Sequence, residues 1–382
     1  MDKLFFVSSH VVYSQTGDIA GPAHSLTTYL ESRNIDYVFL KHPIVSGFVT
    51  EVDYFKNGTN TIYKTNRFWN NTPLRFLAEG ILTLVQVVKI KSDKKIYIGI
   101  DPLNGFWGVL FKKIGLIKKF IYFSVDYSNK RFSSTIINNI YHFFDFLSVK
   151  SADCLWSVSE RIRQVRQKMG VSSKKNLLVP NAPFIKDIPK KRFKQDSDLI
   201  IVANLSQGID INTLLISLKE LKDKNLEFTL KIIGAGRGLE QLQDQLKTLG
   251  LDKQVVIKGR MSHKEIYKEM KKSQVGIALY TRNEEWTYYC DPMKVRDYLA
   301  CGLPVIMTDV PGLANDITKY HLGRVINKID AKELEKVIML LFKSKTKYAA
   351  MHKNALRYAQ RYDLKTIYFN IFKHLELLES KN

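Results

Sequence analysis

The chain has 382 residues, of which 45% are hydrophobic, so it can bury the cores of two or three domains and is not an intrinsically disordered protein. Its formal net charge of +22 is divided evenly between the two halves, whereas nucleic-acid-binding proteins more often concentrate positive charge in one arm or stripe. The three cysteines are widely spaced and form no CxxC pair, which argues against a structural zinc site or a disulfide framework and favours a reducing, cytoplasmic setting.

The first residues predict a strand. Asp2 precedes the apolar run LFFV, which is unlike the start of a secretory signal peptide. Longer apolar stretches are interrupted by lysine before they reach the ~20 residues that cross a bilayer. We therefore expect a cytoplasmic protein that is soluble or peripheral on the inner face of the cell membrane.

In the first half, apolar strands alternate with helical segments. The polar stretch 50–71 predicts no regular element. Strands are predicted at residues 4–7, 37–40, 94–100 and 118–126, and helices from residue 23, at 74–88, within 101–115, at 136–148 and at 159–169. This alternation is typical of a parallel sheet covered by helices on both faces.

The second half repeats this pattern more clearly. The proline-containing segment 177–197 lacks both helical and strand periodicity and is the predicted linker. Strands are predicted at residues 198–204, 228–234, 255–259, 275–280, 303–309 and 323–327, with helices between them and three helices at the end, the last at about 363–379.

The sequence thus predicts an α/β protein with two Rossmann-like, doubly wound domains, 1–180 and 181–362. We expect them to face each other across a cleft, with a C-terminal helix at 363–382 that packs back toward the first domain. Ligands of such folds bind beyond the carboxyl ends of the strands, so the cleft is the expected active site.

The segment IIGAGRG places Gly234, Gly236 and Gly238 directly after a predicted strand. Glycines there allow a phosphate to approach the backbone at a helix N-terminus. The motif comes late in the chain, and no acidic residue follows at the expected strand end. A tight turn is therefore favoured over a dinucleotide site.

The segment DPMKVRDYLACGLPVIMTD (291–309) raises an electrostatic question. Asp291 and Pro292 predict the N-cap and first turn of a short helix at 293–300, followed by a buried strand. Lys294 and Arg296 then lie in the first turn, where the helix dipole disfavours cations by ~0.3–1 kcal/mol each.

A bound diphosphate would reverse this penalty, because the helix start and Lys294 would then both attract the ligand. Asp297, one turn further along, would accept hydrogen bonds from ribose hydroxyls. The pattern predicts a nucleoside diphosphate site. A surface lysine and a simple ion pair are the alternatives.

The same segment resembles the PxK-x-x-E-Y-x-A-x-G-x-P-V segment of GT-B glycosyltransferases. Four other segments are similar to motifs of that family and follow in the same order, namely GPAHSLTTYL, SADCLWSVSERIRQ, VPNAPF and VVIKGRMSHKEIYKEMKKSQVGIALY. Together they extend over nearly the whole chain and are similar to family 4-like enzymes (glycosyl transferases group 1). The Met-Lys pair adds some likeness to the inverting xanthan-type glucuronosyltransferase.

The resemblance implies an N-terminal acceptor domain and a C-terminal domain for the nucleotide-sugar donor. It gives Asp297 the place of the glutamate that holds the donor ribose, and Lys294 that of a lysine that meets the donor phosphates. The acceptor-side residues that it implies are Gly21, His24 and Asp101. The donor-binding residues that it implies are Gly236, Arg237, Gly259, Arg260, Met261, Met293, Lys294 and Asp297.

The chain departs from the pattern of retaining members. Asn204 and Gln207 occupy the positions of the usual phosphate-binding arginine and lysine, and Tyr289 replaces the first glutamate of the E-x7-E motif. Lys294 would then have to supply the positive charge. This favours an inverting outcome slightly over a retaining one.

An inverting transferase needs a general base that takes the proton from the acceptor hydroxyl. Asp126, at the end of a predicted strand, is the first candidate; Asp101, His24 and Asp18 are weaker ones, and a helix cap is the alternative role of a strand-end aspartate. Lys294 and helix N–H groups would stabilise the departing diphosphate. No DxD-type pair is placed to bind a metal, so neither a metal nor a cofactor is expected.

We therefore expect transfer of a sugar from a nucleoside-diphosphate sugar, with UDP as the family default, to a glycan or lipid-linked acceptor in cell-surface polysaccharide or glycoconjugate synthesis. A GT-B sugar-nucleotide epimerase, a basic nucleic-acid-binding protein and an inactive homologue are the alternatives. Segment 105–123 mixes large apolar side chains with four lysines. It fits either a core helix and strand or a patch that docks on an anionic membrane surface.

Overall fold

The structure is a computed structural model and describes residues 3–14, 17–18, 21–44, 47–65, 72–190, 197–205 and 208–379. The chain divides into two compact units. The first contains Met1–Asn181 and Ile367–Asn382, and the second contains Ala182–Thr366.

The first unit is an α/β unit around a largely parallel sheet. Its strands are β1 Leu4–Val11, β2 Tyr13–Ser14, β3 Gly17–Asp18, β4 Tyr37–Pro43, β5 Glu51–Lys56, β6 Thr59–Lys64, β7 Lys95–Ile100, β8 Lys119–Ser124, β9 Cys154–Ser157 and β10 Asn176–Leu178. Its helices are α1 Pro22–Ser32, α2 Thr72–Lys89, α3 Pro102–Lys113, α4 Thr135–Ser151 and α5 Glu160–Lys168.

Among the described residues, the strand order of this sheet is β10-β9-β8-β7-β1-β4-β5-β6. The pairs from β10 to β4 are parallel, as the alternating sequence pattern predicts, and apolar side chains such as Phe6, Tyr97 and Phe120 fill the core. β5 and β6 extend the sheet as an antiparallel hairpin inside the stretch 50–71, for which the sequence predicts nothing. All side chains of β6 are exposed, so this edge strand has no buried face and no apolar alternation.

The second unit contains a six-stranded, fully parallel sheet within the described residues. Its strands are β11 Ser197–Val202, β12 Leu230–Ile233, β13 Val255–Ile257, β14 Ser273–Ala278, β15 Val305–Thr308 and β16 Gly323–Ile326. Its helices are the 3-10 turn Ile185–Asp187, α6 Asn212–Asp223, α7 Leu239–Thr248, α8 His263–Lys271, α9 Glu285–Tyr289, α10 Met293–Ala300, α11 Ala314–Lys319, α12 Ala331–Lys343 and α13 Lys345–Arg361.

The strand order of the second sheet is β13-β12-β11-β14-β15-β16. This is the 3-2-1-4-5-6 order of the Rossmann fold, in which ligands bind where the winding direction reverses. That reversal lies between β11 and β14, whose central residues pair in register from Leu199 with Val275 to Ile201 with Ile277. The loops that follow these two strands are therefore the expected position of a ligand.

The last helix, α14 (Leu364–Glu379), begins in the second unit and belongs to the first unit from Ile367 onward. There the hydroxyl of Tyr368 donates to the carbonyl oxygen of Pro22 at 3.3 Å, and the ring of Phe372 lies 5.4 Å from that of Phe5. The carboxyl-terminal helix thus supplies part of the core of the first unit. Among the helices of the described segments, none combines the length and apolarity needed to cross a bilayer.

Candidate functional site

The loops that follow β11 and β14 meet at the reversal point of the second sheet. The backbone N–H of Thr281 donates to the carbonyl oxygen of Gly208 at 3.1 Å, and Ile209 forms a bridge with Tyr280. Gly208 has a φ of +80°, and a Cβ there would lie 2.6 Å from the ring of Trp286. Asn204, which occupies the position of the usual phosphate-binding arginine, lies in the loop after β11, whereas Gln207 lies outside the described residues.

The glycines of IIGAGRG bring three strand-end loops together. The N–H of Gly238 donates to Leu205 at 3.0 Å, and the N–H of Gly234 donates to Gly259 at 2.8 Å. A Cβ at Gly234 would lie 1.8 Å from the carbonyl oxygen of Ala203, so no side chain fits. The close approach is therefore between parts of the protein's own backbone, as the tight-turn interpretation requires.

The other predicted donor residues of these loops lie at the same end of the sheet. Gly259 has a φ of +69° and no atom within 4 Å of the position of a Cβ. Arg237 and Arg260 are exposed, while Gly236, Met261 and Met293 are partly exposed. The structure thus brings these residues to one sheet edge, where a ligand can reach them.

Helix α10 begins at Met293 with Pro292 at the N-cap position, so the prediction of Asp291 as N-cap is wrong. Asp291 instead accepts two hydrogen bonds from the guanidinium of Arg296, both at 2.7 Å, and both side chains are buried. The guanidinium carbon also lies 4.4 Å from the ring centre of Tyr362. The positive charge of Arg296 at the helix start is therefore neutralised within the protein.

Lys294 differs from Arg296 in this respect. Its Nζ lies 5.8 Å from the ring centre of Tyr280, next to the reversal point of the sheet. In the segments that the structure describes, no carboxylate lies within ion-pair distance of Lys294 and no group hydrogen-bonds to it. Burial lowers the pKa of Lys294 to about 8, because little nearby negative charge compensates for the lost solvation. A desolvated ammonium group at the start of a helix is suited to bind an anion.

Asp297 is 3% exposed, and both of its carboxylate oxygens have protein partners. The hydroxyl of Tyr267 donates to Oδ1 at 2.8 Å, and His263 Nε2 lies 3.2 Å from Oδ2. The sequence pattern offered this carboxylate to ribose or to an ion pair, but it did not identify either of these partners. The position of His263, just after the loop of Gly259 at the start of α8, was the available signal.

On the side of the first unit, His24 does not present a free ring nitrogen. Its Nδ1 accepts from the backbone N–H of Gly21 at 3.1 Å, and its Nε2 lies 2.8 Å from Oδ2 of Asp18. Oδ2 of Asp18 also lies 3.2 Å from Nζ of Lys41. These contacts make His24 part of the N-terminal cap of α1 and connect Asp18 to both His24 and Lys41.

Asp101 is a helix cap with a φ of +73°. Its Oδ1 accepts from the N–H groups of Leu103 and Asn104 at 2.9 and 3.0 Å, and its Oδ2 lies 2.9 Å from Nδ1 of His10. Burial lowers the pKa of His10, but Asp101 and Glu79 outweigh this and raise it to about 10. The imidazolium in turn helps to keep the pKa of Asp101 below its usual value. Asp101 thus has the helix-cap role that is the alternative for a strand-end aspartate, and its role as a base is not tested by these contacts.

Asp126 lies two residues beyond the end of β8 and caps no helix, because Ser134 is the cap of α4. Its Oδ1 accepts from the N–H of Tyr127 at 2.9 Å, and its Oδ2 forms an ion pair with Arg131. About a third of the side chain is exposed (33%), so solvent and a ligand can reach the carboxylate. Asp126 therefore stays the predicted base.

Segment 105–123 forms mostly core. Gly105, Gly108 and Phe111 of α3 are buried, and so is β8 from Phe120 onward. The core interpretation therefore holds for the apolar side chains of this segment, while Lys113 and Lys118 are exposed. In the described ranges, no group of three or more His, Cys, Asp or Glu side chains is arranged to hold a metal ion.

Comparison with known proteins gives one family match. The sequence profile of glycosyl transferases group 1 matches residues 184–358, nearly all of the second unit. No protein of curated function matches the chain in sequence.

Solved structures share the fold over the whole chain. Sucrose-phosphate synthase from Thermosynechococcus elongatus superposes with a TM-score of 0.75 at 12% identity, covering 100% of both chains. Anabaena HepE in complex with UDP-glucose has a TM-score of 0.69 at 17% identity, covering 99% of each. WaaG, a glycosyltransferase involved in lipopolysaccharide biosynthesis, has a TM-score of 0.65 at 14% identity, covering 95% of this chain and 97% of its own. At these identities the likeness is one of fold.

Proposed function

We propose that this glycosyltransferase, whose residues 184–358 match the profile of glycosyl transferases group 1, moves a sugar from a UDP-sugar to a glycan or lipid-linked acceptor. The product would be a cell-surface polysaccharide or glycoconjugate. The protein would work in the cytoplasm, peripheral to the inner face of the membrane. No metal and no cofactor beyond the donor substrate takes part.

The observation that carries this proposal is the desolvated ammonium group of Lys294. It lies beside Tyr280 at the reversal point of the sheet and at the start of α10, and burial lowers its pKa to about 8. A diphosphate bound there supplies the missing negative charge, and the helix dipole adds to the attraction. HepE, which shares the fold, has been solved with UDP and with UDP-glucose, which supports UDP as the ligand.

In the transfer, the bond between the anomeric carbon and the diphosphate oxygen breaks, and negative charge builds on the departing UDP. Lys294 stabilises this charge more in the transition state than in the bound donor. Because Asn204 replaces the arginine of retaining members, Lys294 carries this task, which favours inversion. Asp126 then takes the proton from the acceptor hydroxyl as that oxygen attacks the opposite face of the sugar.

The ribose of the donor would be held at Asp297. A carboxylate has about four lone-pair sites, so the contacts with Tyr267 and His263 leave capacity for a hydroxyl group. His263, whose Nε2 is the partner of Oδ2, is 27% exposed. We therefore add His263 to the residues that bind the donor.

A thermal-shift panel with UDP, GDP, ADP and their sugars tests the donor assignment. A ligand at about 100 times its Kd adds ~2.7 kcal/mol of stability. We expect UDP and UDP-sugars to give the largest shift. A larger shift with GDP or ADP would show that uracil is not the nucleobase of the donor. No shift with any nucleoside diphosphate would contradict the proposed binding site.

The base is tested with Asp126→Asn, which keeps the shape of the side chain and removes its basicity. We expect an unchanged UDP shift and a transfer rate reduced by about 10²–10⁴-fold, the usual contribution of a general base. Asp93→Asn, at an exposed position of the same unit, is the matched control and should keep full activity. Full transfer by Asp126→Asn would rule out Asp126 as the base.

A further inference from the structure

Helix α2 exposes one apolar stripe along its whole length. Its sequence, TPLRFLAEGILTLVQVVK, repeats large apolar residues at intervals of three or four, which is one face of a helix. Five of these side chains are 43–60% exposed although they are apolar: Leu74, Leu77, Ile81, Val85 and Val88. An apolar stripe on the core side is expected of such a helix, but this one faces solvent.

Helix α4 exposes a second apolar face. Five of its side chains are 45–73% exposed: Ile136, Ile137, Ile140, Phe143 and Phe146. The core side of α4 is instead partly polar, because the buried Asp145 there forms an ion pair with Arg166. Scattered apolar residues on a surface are normal, whereas contiguous ones mark a binding surface.

The two helices flank α3 and are joined by aromatic contacts. The ring of Phe76 on α2 lies 5.6 Å from that of Phe144 on α4, and both contact Phe106 of α3. Gly80 lets α2 approach closely, since a Cβ there would lie 2.0 Å from the ring of Trp107. The exposed apolar side chains of the two helices therefore border one surface, which we call the α2–α4 apolar face.

The exposed charges of the helices at this face are positive. Helices α2, α3 and α4 carry five basic residues: Arg75, Lys89, Lys112, Lys113 and Lys150. Arg75 is paired with Glu79 and Lys112 with Asp153, so, in the described part of the chain, Lys89 and Lys113 are among the residues that supply uncompensated charge to this face. Their acidic residues are Glu79 and Asp145, each 4% exposed and each paired inside the unit. The solvent side of the three helices thus combines apolar and positively charged side chains and presents no carboxylate from these helices.

We propose that the α2–α4 apolar face docks on an anionic lipid bilayer, with the apolar side chains in the headgroup region and the lysines at the lipid phosphates. An amphipathic helix with basic flanks lies in the membrane interface in this way, and lysine stems reach outward to the headgroups. α2 is not apolar enough to span the membrane, so it lies along the surface. A second copy of the chain fits less well, because a symmetric contact would bring the same basic residues together.

This surface names the membrane partner that the proposed function requires, but it does not depend on the transfer reaction. The assay is flotation of the full chain with two kinds of vesicle, phosphatidylcholine alone and a 1:1 mixture with phosphatidylglycerol, without sugar donor. We expect binding to the mixed vesicles, weakening as salt rises, and little binding to the neutral ones. Failure of the wild type to bind vesicles would overturn the docking proposal and leave the transferase proposal standing. Vesicle binding by a wild type that transfers no sugar would leave the docking proposal standing and contradict the transferase proposal.

The double variant Ile81→Asp with Ile140→Asp tests the apolar contact. Both positions are at least half exposed (60% and 50%), so folding should be unaffected, and circular dichroism checks this. We expect vesicle partitioning to fall at least about tenfold, or ~1.4 kcal/mol. The matched control is Ile216→Asp with Val256→Asp, two exposed apolar positions of the second unit (48% and 49%), and should bind as wild type.

A charge variant and the oligomeric state complete the test. Lys89→Glu with Lys113→Glu should weaken binding to the anionic vesicles by about tenfold or more, since each basic residue near the surface contributes ~1 kcal/mol. Unchanged binding by this variant or by the aspartate pair would overturn the proposal. So would a wild-type dimer that binds no vesicles and that the aspartate pair converts to a monomer, because the face would then be a contact between copies.

Discussion

Replacing Lys294 by methionine should stabilise the ligand-free protein and abolish its stabilisation by UDP. Methionine has a similar length and carries no charge that needs solvation. Burial lowers the pKa of Lys294 from 10.5 to about 8. At 1.36 kcal/mol for each pKa unit, the folded protein disfavours the charged ammonium by about 3 kcal/mol at most. Because the side chain is partly exposed, we expect a gain of about 1–3 kcal/mol in the free energy of unfolding at pH 7.

The pH dependence of this gain has a defined sign. The folded-state pKa, about 8, lies below the ordinary value of 10.5, so the unfolded chain binds more protons between these two values. The destabilising effect of Lys294 is therefore complete below pH 8 and disappears as the pH rises toward 10.5. The difference in stability between the variant and the wild type should follow the same course.

Urea unfolding at 25 °C, with and without UDP, measures both effects. At about 100 times its Kd, UDP should add ~2.7 kcal/mol to the wild type and nothing to Lys294→Met. Lys347→Met, at an exposed position of α13, is the matched control and should leave both quantities unchanged. A ligand-free variant that is less stable than the wild type at pH 7, or one that UDP still stabilises fully, would refute the reasoning.

Three further predictions concern the framework of the site. Asp291→Ala should lower the free energy of unfolding by about 3–5 kcal/mol, measured by urea titration, because it leaves the buried Arg296 without a partner; a loss below about 1 kcal/mol would contradict this. Gly234→Ala should lower the free energy of unfolding by at least about 3 kcal/mol, because the new Cβ would clash with backbone atoms. Gly259→Ala, at a position with a positive φ but open space around the Cβ, should lower it by ~1–2 kcal/mol. Equal losses would speak against the clash. The pKa of His10 is raised from 6.5 to about 10, which adds stability that is complete below pH 6.5 and is lost as the pH rises to 10. The free energy of unfolding of the wild type should therefore exceed that of His10→Gln by an amount that falls over this range. A difference that does not change with pH would exclude the ion pairs as its source.

Local sequence patterns were enough to predict much of the fold. Helix α10 occupies the predicted residues, and the parallel strands of the second unit lie within a few residues of their predicted positions. These elements have a strong apolar pattern, and most of them begin or end beside glycine or proline, so local rules decide them. The β5–β6 hairpin was missed because its outer strand has no buried side, and the pairing with β4 that holds it depends on distant residues.

The site was predictable only in part for a related reason. The pattern around Lys294 correctly indicated an unusual positive charge, but not that Asp291 would pair with Arg296 rather than cap the helix. Whether Asp101 and Asp126 are caps depends on where the next helix begins, and α3 begins at once whereas α4 begins nine residues after Asp126. The partners of Asp297 lie 30 and 34 residues earlier in the chain, beyond the reach of any local pattern.

The return of α14 to the first unit affects how the protein is made. Tyr368 and Phe372 pack against rings of the first unit, including those of Tyr29 and Trp156, so that unit lacks part of its interior until the end of the chain has been translated. The second unit, although encoded later, is contiguous and can close first. The order of synthesis and the order of folding therefore differ, and an expression fragment cut at the linker would leave an aromatic cluster uncovered and prone to aggregate.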